Sequence, residues 1–319
     1  MTGHPAPSPQ PTLMTVTGPI GPAELGVVLP HEHVFGNIMR EYRGNGMLHD
    51  PQVAIEELDD FRAHGGQTLV ELTPVELGRR PELLAEVSRA ARVNIVMGCG
   101  HYREPFLDLA HFAATSIDGL AEEIISEIED GVGGTGIRPG IIGEIGSNED
   151  TITPAEEKSF RAAARAHLAT ALTVSTHAAW FPIGLRQLDI LESEGVAPHR
   201  VIVGHSDGVP GPDYQLALAR RGCFVELDGF GTDTAYDTTR AIGYLLALRA
   251  EGHLHQVLIS HDVFLRTHMR VRGGPGYSWI ARELLPRLRE LGLSEHEVHQ
   301  LMVDNPRAAL TGSTAAPDQ

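Results

Sequence analysis

Short apolar runs alternate with longer amphipathic segments along almost the whole chain, beginning at Gly26-Val27-Val28-Leu29. Apolar runs bounded by glycine and turn residues read as buried strands, whereas apolar residues three and four apart mark one face of a helix. Strands are therefore expected at 26–29, 67–73, 93–100, 140–146, 172–177, 201–205, 223–228 and 257–262. Helices are expected between them, at 53–64, 81–92, 117–130, 153–171, 184–194, 214–221 and 236–250, with 36–46 as a loop. Local chemistry supports several of these ends. Pro81 opens one helix, Thr153-Pro154-Ala155-Glu156 reads as a capping box with proline at the first helical position, and Gly65-Gly66 ends another. Two closing helices, 277–291 and 294–309, follow the eighth strand.

Eight strand signals alternating with helical ones form one parallel α/β barrel, a (β/α)8 TIM barrel with extra C-terminal helices, more economically than two unrelated domains. The 319 residues allow it, since such barrels take about 250 residues or more, and 42% hydrophobic residues suffice for its core. The expected organisation is a single barrel over 13–312, with 1–12 and 313–319 as disordered ends rich in proline and small polar residues.

Charge and cysteine content narrow the function. A formal charge of −17 argues against a nucleic-acid or anionic-membrane partner and leaves a small-molecule substrate. The two cysteines, Cys99 and Cys223, lie in apolar runs and are expected as buried thiols, which removes a disulfide framework or a cysteine-rich zinc site as organiser. No basic segment leads into an apolar core at the N-terminus, and no apolar run reaches the roughly 20 residues that span a bilayer, so a cytoplasmic location is expected.

The candidate chemistry gathers at strand ends. Pro30-His31-Glu32-His33 follows the first apolar run, and period-two alternation sets His31 and His33 on one face with Glu32 on the other. Glu144 ends the fourth strand, His177 the fifth, His205 the sixth and Asp262 the eighth. The C-terminal ends of barrel strands are where this architecture places its active sites. Four imidazoles and two carboxylates suit Zn, Mn, Fe or Co and are too many for one tetrahedral site, which favours two divalent ions bridged by Glu144, with Zn first among them.

In His31-Glu32-His33, Gly140-Ile141-Ile142-Gly143-Glu144-Ile145-Gly146, Ser175-Thr176-His177, Val203-Gly204-His205-Ser206-Asp207 and Ser260-His261-Asp262, the chain resembles the phosphotriesterase family of the amidohydrolase superfamily. Gly273-Gly274-Pro275-Gly276-Tyr277 strengthens the likeness to its phosphotriesterase homology and phosphotriesterase-related branch. The resemblance implies that His31, His33 and Asp262 hold a more buried ion, His177 and His205 a more exposed one, and that Glu144 and a hydroxide are shared. It implies a hydroxide nucleophile made available at working pH, a carbonyl or phosphoryl oxygen polarised by the outer ion, and Asp262 as the catalytic proton acceptor or relay. Organophosphate-hydrolysing and lactonase members carry a carboxylated lysine at strand four. Here the sole lysine, Lys158, falls in the following helix, and Glu144 stands in its place.

The expected reaction is hydrolysis of a lactone or other carboxylic ester. Alternatives are cleavage of a small N-acyl amino acid or its sulfonate relative, phosphotriester hydrolysis as a side activity, and a barrel that binds a ligand without turnover. Tyr102, Trp180 and Phe230 follow strand ends and are candidates to line a substrate pocket, with simple packing as the alternative. Arg266, with Arg270 and Arg272, is a candidate contact for an anionic substrate group or else a solvated loop charge. A homodimer follows from family likeness alone.

Overall fold

A computed structural model describes residues 12–232 and 238–312. Among them, eight strands form one parallel sheet in chain order: β1 (Val28–Glu32), β2 (Thr68–Glu71), β3 (Asn94–Cys99), β4 (Ile141–Gly146), β5 (Val174–His177), β6 (Val201–Gly204), β7 (Phe224–Leu227) and β8 (Val257–Ile259). Helices α1 (Pro51–Ala63), α2 (Pro81–Ala91), α3 (Ile117–Asp130), α4 (Pro154–Thr170), α5 (Gly184–Ser193), α6 (Pro212–Arg221) and α7 (Thr238–Ala250) fall between successive strands. This is the (β/α)8 TIM barrel, nearly closed. Of the segments expected as disordered, only residue 12 is among those described, and the expected start of the seventh helix at 236 and 237 also lies outside them.

Neighbouring strand residues go to two different cores, as a barrel requires. Val28, Val70, Val96, Ile141, Ile202, Phe224 and Leu258 pack together across seven strands, a cluster that only the barrel interior can assemble. Their neighbours Leu29, Leu69, Ile95, Ile142, Val203, Val225 and Ile259 join the layer that includes the helix residues Leu58, Phe160 and Leu188. Each fully buried aliphatic chain contributes about 1.5–3 kcal/mol against exposure, so the double layer dominates the stability of the fold.

The first and last strands meet through few bonds. Asp262 N–H donates to the carbonyl of His31 (3.3 Å), and His31 N–H donates to Ser260 Oγ (3.1 Å). The Glu32 carboxylate completes the seam: it accepts from Ser260 Oγ, His261 N–H and His261 Nδ1 (2.9 Å each) and from Val263 N–H (2.8 Å). Glu32 and His261 therefore both point away from the barrel mouth, opposite to their chain neighbours His31, His33 and Asp262.

Helix starts follow their caps. Asp50 accepts from Gln52 and Val53 N–H and Pro51 needs no partner, so α1 begins two residues before the apolar period does. The Thr153/Glu156 capping box forms as expected, and Glu156 also accepts from the backbone of Glu104 and Asn148, tying two mouth loops to α4. Two expectations change, and one helix is new. The 36–46 stretch, read as a loop, carries a hairpin of Gly36–Asn37 with Met47–Leu48 and a helical turn, Met39–Tyr42. The closing helices are each widened by a π-type turn, Ile280–Leu284 and Gln300–Asp304. Leu109–Ala114 forms a short helix capped by Asp108 that periodicity alone is too brief to reveal. Cys99 and Cys223 are buried free thiols, and burial pushes Cys223 up to about 12.

Candidate functional site

Seven side chains converge at the C-terminal mouth of the barrel. His31 and His33 come from the end of β1, Glu144 from β4, His177 from β5, His205 from the residue after β6, Asp228 from just after β7, and Asp262 from the segment after β8. All but His177 and Asp262, which are partly buried, are buried. Plain alternation does not account for all of them. Val28 and Ile141 already face the interior, so strict period two would turn His31, His33 and Glu144 outward. The pairing register shifts between Leu29 and Glu32 in β1 and between Ile142 and Ile145 in β4, and these shifts turn the three side chains in. His205 and Asp262 both adopt left-handed backbone, at φ 53° and 52°. Such strain in non-glycine residues persists where surrounding structure enforces it, commonly at functional sites. Gly204 is required by space: a Cβ there would lie 2.6 Å from the Thr176 carbonyl oxygen and 3.4 Å from both the Glu226 and Asp228 carboxylates.

Glu144 is the hub. Its Oε2 lies 3.0 Å from His177 Nδ1, 3.3 Å from His205 Nε2 and 3.4 Å from His31 Nε2, while Oε1 lies 3.7 Å from His33 Nε2. His33 Nε2 is 3.2 Å from Asp262 Oδ1. Three groups of three have ligand atoms within 4.8 Å of one another, His31 with His33 and Asp262, Glu144 with His177 and His205, and His31 with His205 and Asp228; the first two share no residue and so could be filled together. Burial alone would raise the Glu144 carboxyl, but His177, His205 and His31 around it hold it well below the usual carboxylate range. Burial, and then the neighbouring His205, push His177 down to about 4, which leaves a neutral imidazole with its lone pair available.

Sequence reading missed the residues behind these ligands. His31 Nδ1 faces Glu226 Oε2 (2.8 Å) and Asp228 Oδ2 (3.2 Å), and His205 Nδ1 faces Asp228 Oδ1 (2.9 Å). His33 Nδ1 meets Thr73 Oγ1 at 2.9 Å, and that hydroxyl donates in turn to Glu71. Engaging one ring nitrogen fixes the tautomer and aims the other nitrogen inward. Burial pushes Glu226 up to about 7, whereas His205 and His31 hold Asp228 below the carboxylate range against its burial. The signal for this pair was present, because two acids two residues apart interrupt an otherwise apolar strand at 223–228.

The donor set fits divalent cations. His31 Nε2 is buried and has no hydrogen-bond partner, although His31 sits beside the Glu144 and Asp262 carboxylates and the His33 and His205 imidazoles. A buried, oriented and unpartnered nitrogen is costly unless an ion takes its lone pair. Lys158 stands apart: its ammonium donates to the carbonyls of Phe112 and Thr115 from within α4.

A cavity of about 480 Å³ opens over the cluster. Tyr102 and Trp180 line it, Tyr102 buried and Trp180 half exposed at the rim, and so do His33, Glu144, His177, His205 and Asp262. Arg266, the expected anion contact, is not among its lining residues. It opens a helical turn, Arg266–His268, beyond Phe264, which does line the cavity. Phe230 is fully buried in the outer core layer, the packing alternative. The arginine that reaches the cavity wall is Arg103, on the loop after β3.

Residues 11–310 match the Phosphotriesterase family. The phosphotriesterase homology protein of Escherichia coli (strain K12) is 36% identical over 283 residues, 88% of this chain and 96% of its own length. The crystal structure of that protein, with phosphate in its active site, superimposes with a TM-score of 0.87 over 90% of this chain and 99% of that one. The N-acetyltaurine hydrolase of Dictyostelium discoideum is 31% identical over 280 residues, 84% of this chain and 75% of its own length. A lactonase of Listeria monocytogenes superimposes with a TM-score of 0.88 at 28% identity, over 97% of this chain and all 100% of that one. Likeness of this extent reaches every strand that brings a side chain to the mouth, and the chain belongs to the phosphotriesterase family.

Proposed function

We propose that this protein is a binuclear metal-dependent hydrolase that cleaves a lactone or other carboxylic ester. The observation that carries this reading is the pair of three-ligand groups meeting at Glu144, with the buried His31 Nε2 lacking any other partner. His31, His33 and Asp262 would hold one ion, His177 and His205 the other, and Glu144 would reach both; Zn suits the donors best, with Mn, Fe or Co also compatible. Bound ions supply a water acidified towards neutrality and positive charge that polarises the scissile carbonyl.

The chain's own residues do the rest. Glu226, Asp228 and Thr73 hold the three imidazoles in the ligating tautomer through their Nδ1 atoms. Asp262, partly open to the cavity, accepts through its carboxylate the proton released as the nucleophile attacks, and passes it towards the leaving group. Tyr102 and Trp180 form part of the wall that limits water around the reacting carbonyl.

A second reading, hydrolysis of a small N-acylated amino acid or aminosulfonate, is favoured by the similarity to the Dictyostelium N-acetyltaurine hydrolase. It uses the same groups on an amide carbonyl. Phosphotriester cleavage ranks third, as a side activity.

The test is elemental analysis of protein purified without added metal, beside Glu144→Ala and His177→Ala. Two divalent ions per chain are expected, with a loss of about one or more in each variant. A wild-type protein that holds no transition metal and cannot be loaded with one overturns the reading. Comparing kcat/KM on esters, amides and phosphotriesters then orders the substrates, and highest efficiency on phosphotriesters would reverse the order given.

A further inference from the structure

Arg103 is the one arginine or lysine among the described residues that line the cavity. Its side chain is only 13% exposed. Nη1 donates to Asn148 Oδ1 and Nη2 to Glu41 Oε2, whereas the buried Nε has no hydrogen-bond partner. A guanidinium offers five N–H donors in a rigid fork, and these two bonds leave most of them unused. The group lies 5.0 Å from the centroids of both the Tyr102 and Phe106 rings, and the Tyr102 ring is itself 5.0 Å from that of His177. One aromatic ring thus separates a partly buried cation from the candidate metal cluster.

Burying a cation costs desolvation that a partner must offset, and here the partner is Glu41, on the helical turn Met39–Tyr42 at the cavity mouth. Nothing about the cluster needs this pair, since no ligand is held by Arg103 or Glu41. We propose that Arg103 anchors a carboxylate or sulfonate group on the substrate, a short spacer away from the scissile carbonyl, and that Glu41 occupies the anchor until that acid group displaces it. The inference rests on the hydrolase reading and narrows its substrate class to acid-bearing esters or amides. It makes Arg103 and Glu41 opposed in sign: one attracts the acid group and the other competes with it.

A merely structural role is the rival account, because Arg103 ties the loops after β1, β3 and β4 together. The two accounts separate on a matched pair of substrates, the acetate ester of 2-hydroxyethanesulfonate and the acetate ester of the corresponding neutral sulfonamide. Arg103→Gln is expected to raise KM for the sulfonate, relative to the sulfonamide, by about 10- to 100-fold, the range of a charge-assisted hydrogen bond, with kcat changing less. Arg103→Lys should retain part of the preference. Glu41→Gln should lower the same KM ratio. If both variants shift the two esters alike and in the same direction, Arg103 is only a loop clamp and the proposal fails.

Calorimetric binding of propanesulfonate and propanesulfonamide supplies a readout that needs no turnover. Sulfonate bound more tightly than sulfonamide, with the difference lost in Arg103→Gln, supports the anchor even if neither ester is hydrolysed, an outcome that counts against the ester reading and not against the anchor. Sulfonate bound no more tightly than sulfonamide by the wild type overturns it.

Discussion

At the scale of single residues, the carboxylates behind the ligands matter as much as the ligands themselves. Asp228 faces the Nδ1 atoms of both His31 and His205, so one side chain orients one imidazole from each of the two three-ligand groups that share no residue. An amide keeps the shape of that contact and removes its charge. Asp228→Asn is therefore expected to weaken divalent-ion affinity by about 10- to 100-fold, the usual cost of losing such a supporting partner, as measured by competition with a chromophoric chelator. Unchanged affinity would show that Glu226 alone orients His31 and that the backbone alone orients His205. Thr73 plays the same part for His33, with Glu71 behind it.

At the scale of elements, helix α4 links stability to pH. His167, near its C-terminal end, is buried against the start of β5, where its Nδ1 lies 2.6 Å from the Leu172 carbonyl oxygen. Burial, with Arg200 and His199 nearby, holds its pKa below the usual imidazole value. The sign follows from linkage. Between the lowered folded value and about 6.5 in the unfolded chain, the unfolded state binds the extra proton, so stability rises with pH across that window and is lost as pH falls below about 6.5. His167→Gln, which can still donate to Leu172, is expected to show a shallower fall in melting temperature between pH 6.5 and 5 than the wild type. An identical slope would assign the acid sensitivity to other groups.

At the scale of the whole molecule, the barrel is held shut by a side chain. The seam between β8 and β1 has one direct backbone bond where the strand ends meet, from Asp262 to His31, and Glu32 supplies four more acceptor contacts to Ser260, His261 and Val263. Removing that carboxylate would strand two buried backbone N–H groups and a buried imidazole. Glu32→Ala is thus expected to cost about 3–5 kcal/mol, seen as a lower denaturation midpoint, although Glu32 touches no candidate ligand group. A loss below about 1 kcal/mol would mean that packing alone closes the seam. Among the described residues no helix is long and apolar enough to cross a membrane.

The sequence by itself determined the alternation of strands and helices, and hence the barrel, because periodicity and capping are local properties that survive without tertiary context. It also determined which residue types stand at the strand ends, and so the metal-ligand character of the mouth. Only the tertiary structure decided which way those side chains face. In β1 and β4 a register shift, set by pairing with neighbouring strands, reverses the parity that the apolar pattern alone would assign to His31, His33 and Glu144. It likewise chose Arg103 over Arg266 for the cavity wall, because loop conformation depends on contacts such as Glu41 and Asn148 that lie 62 and 45 residues away in the chain.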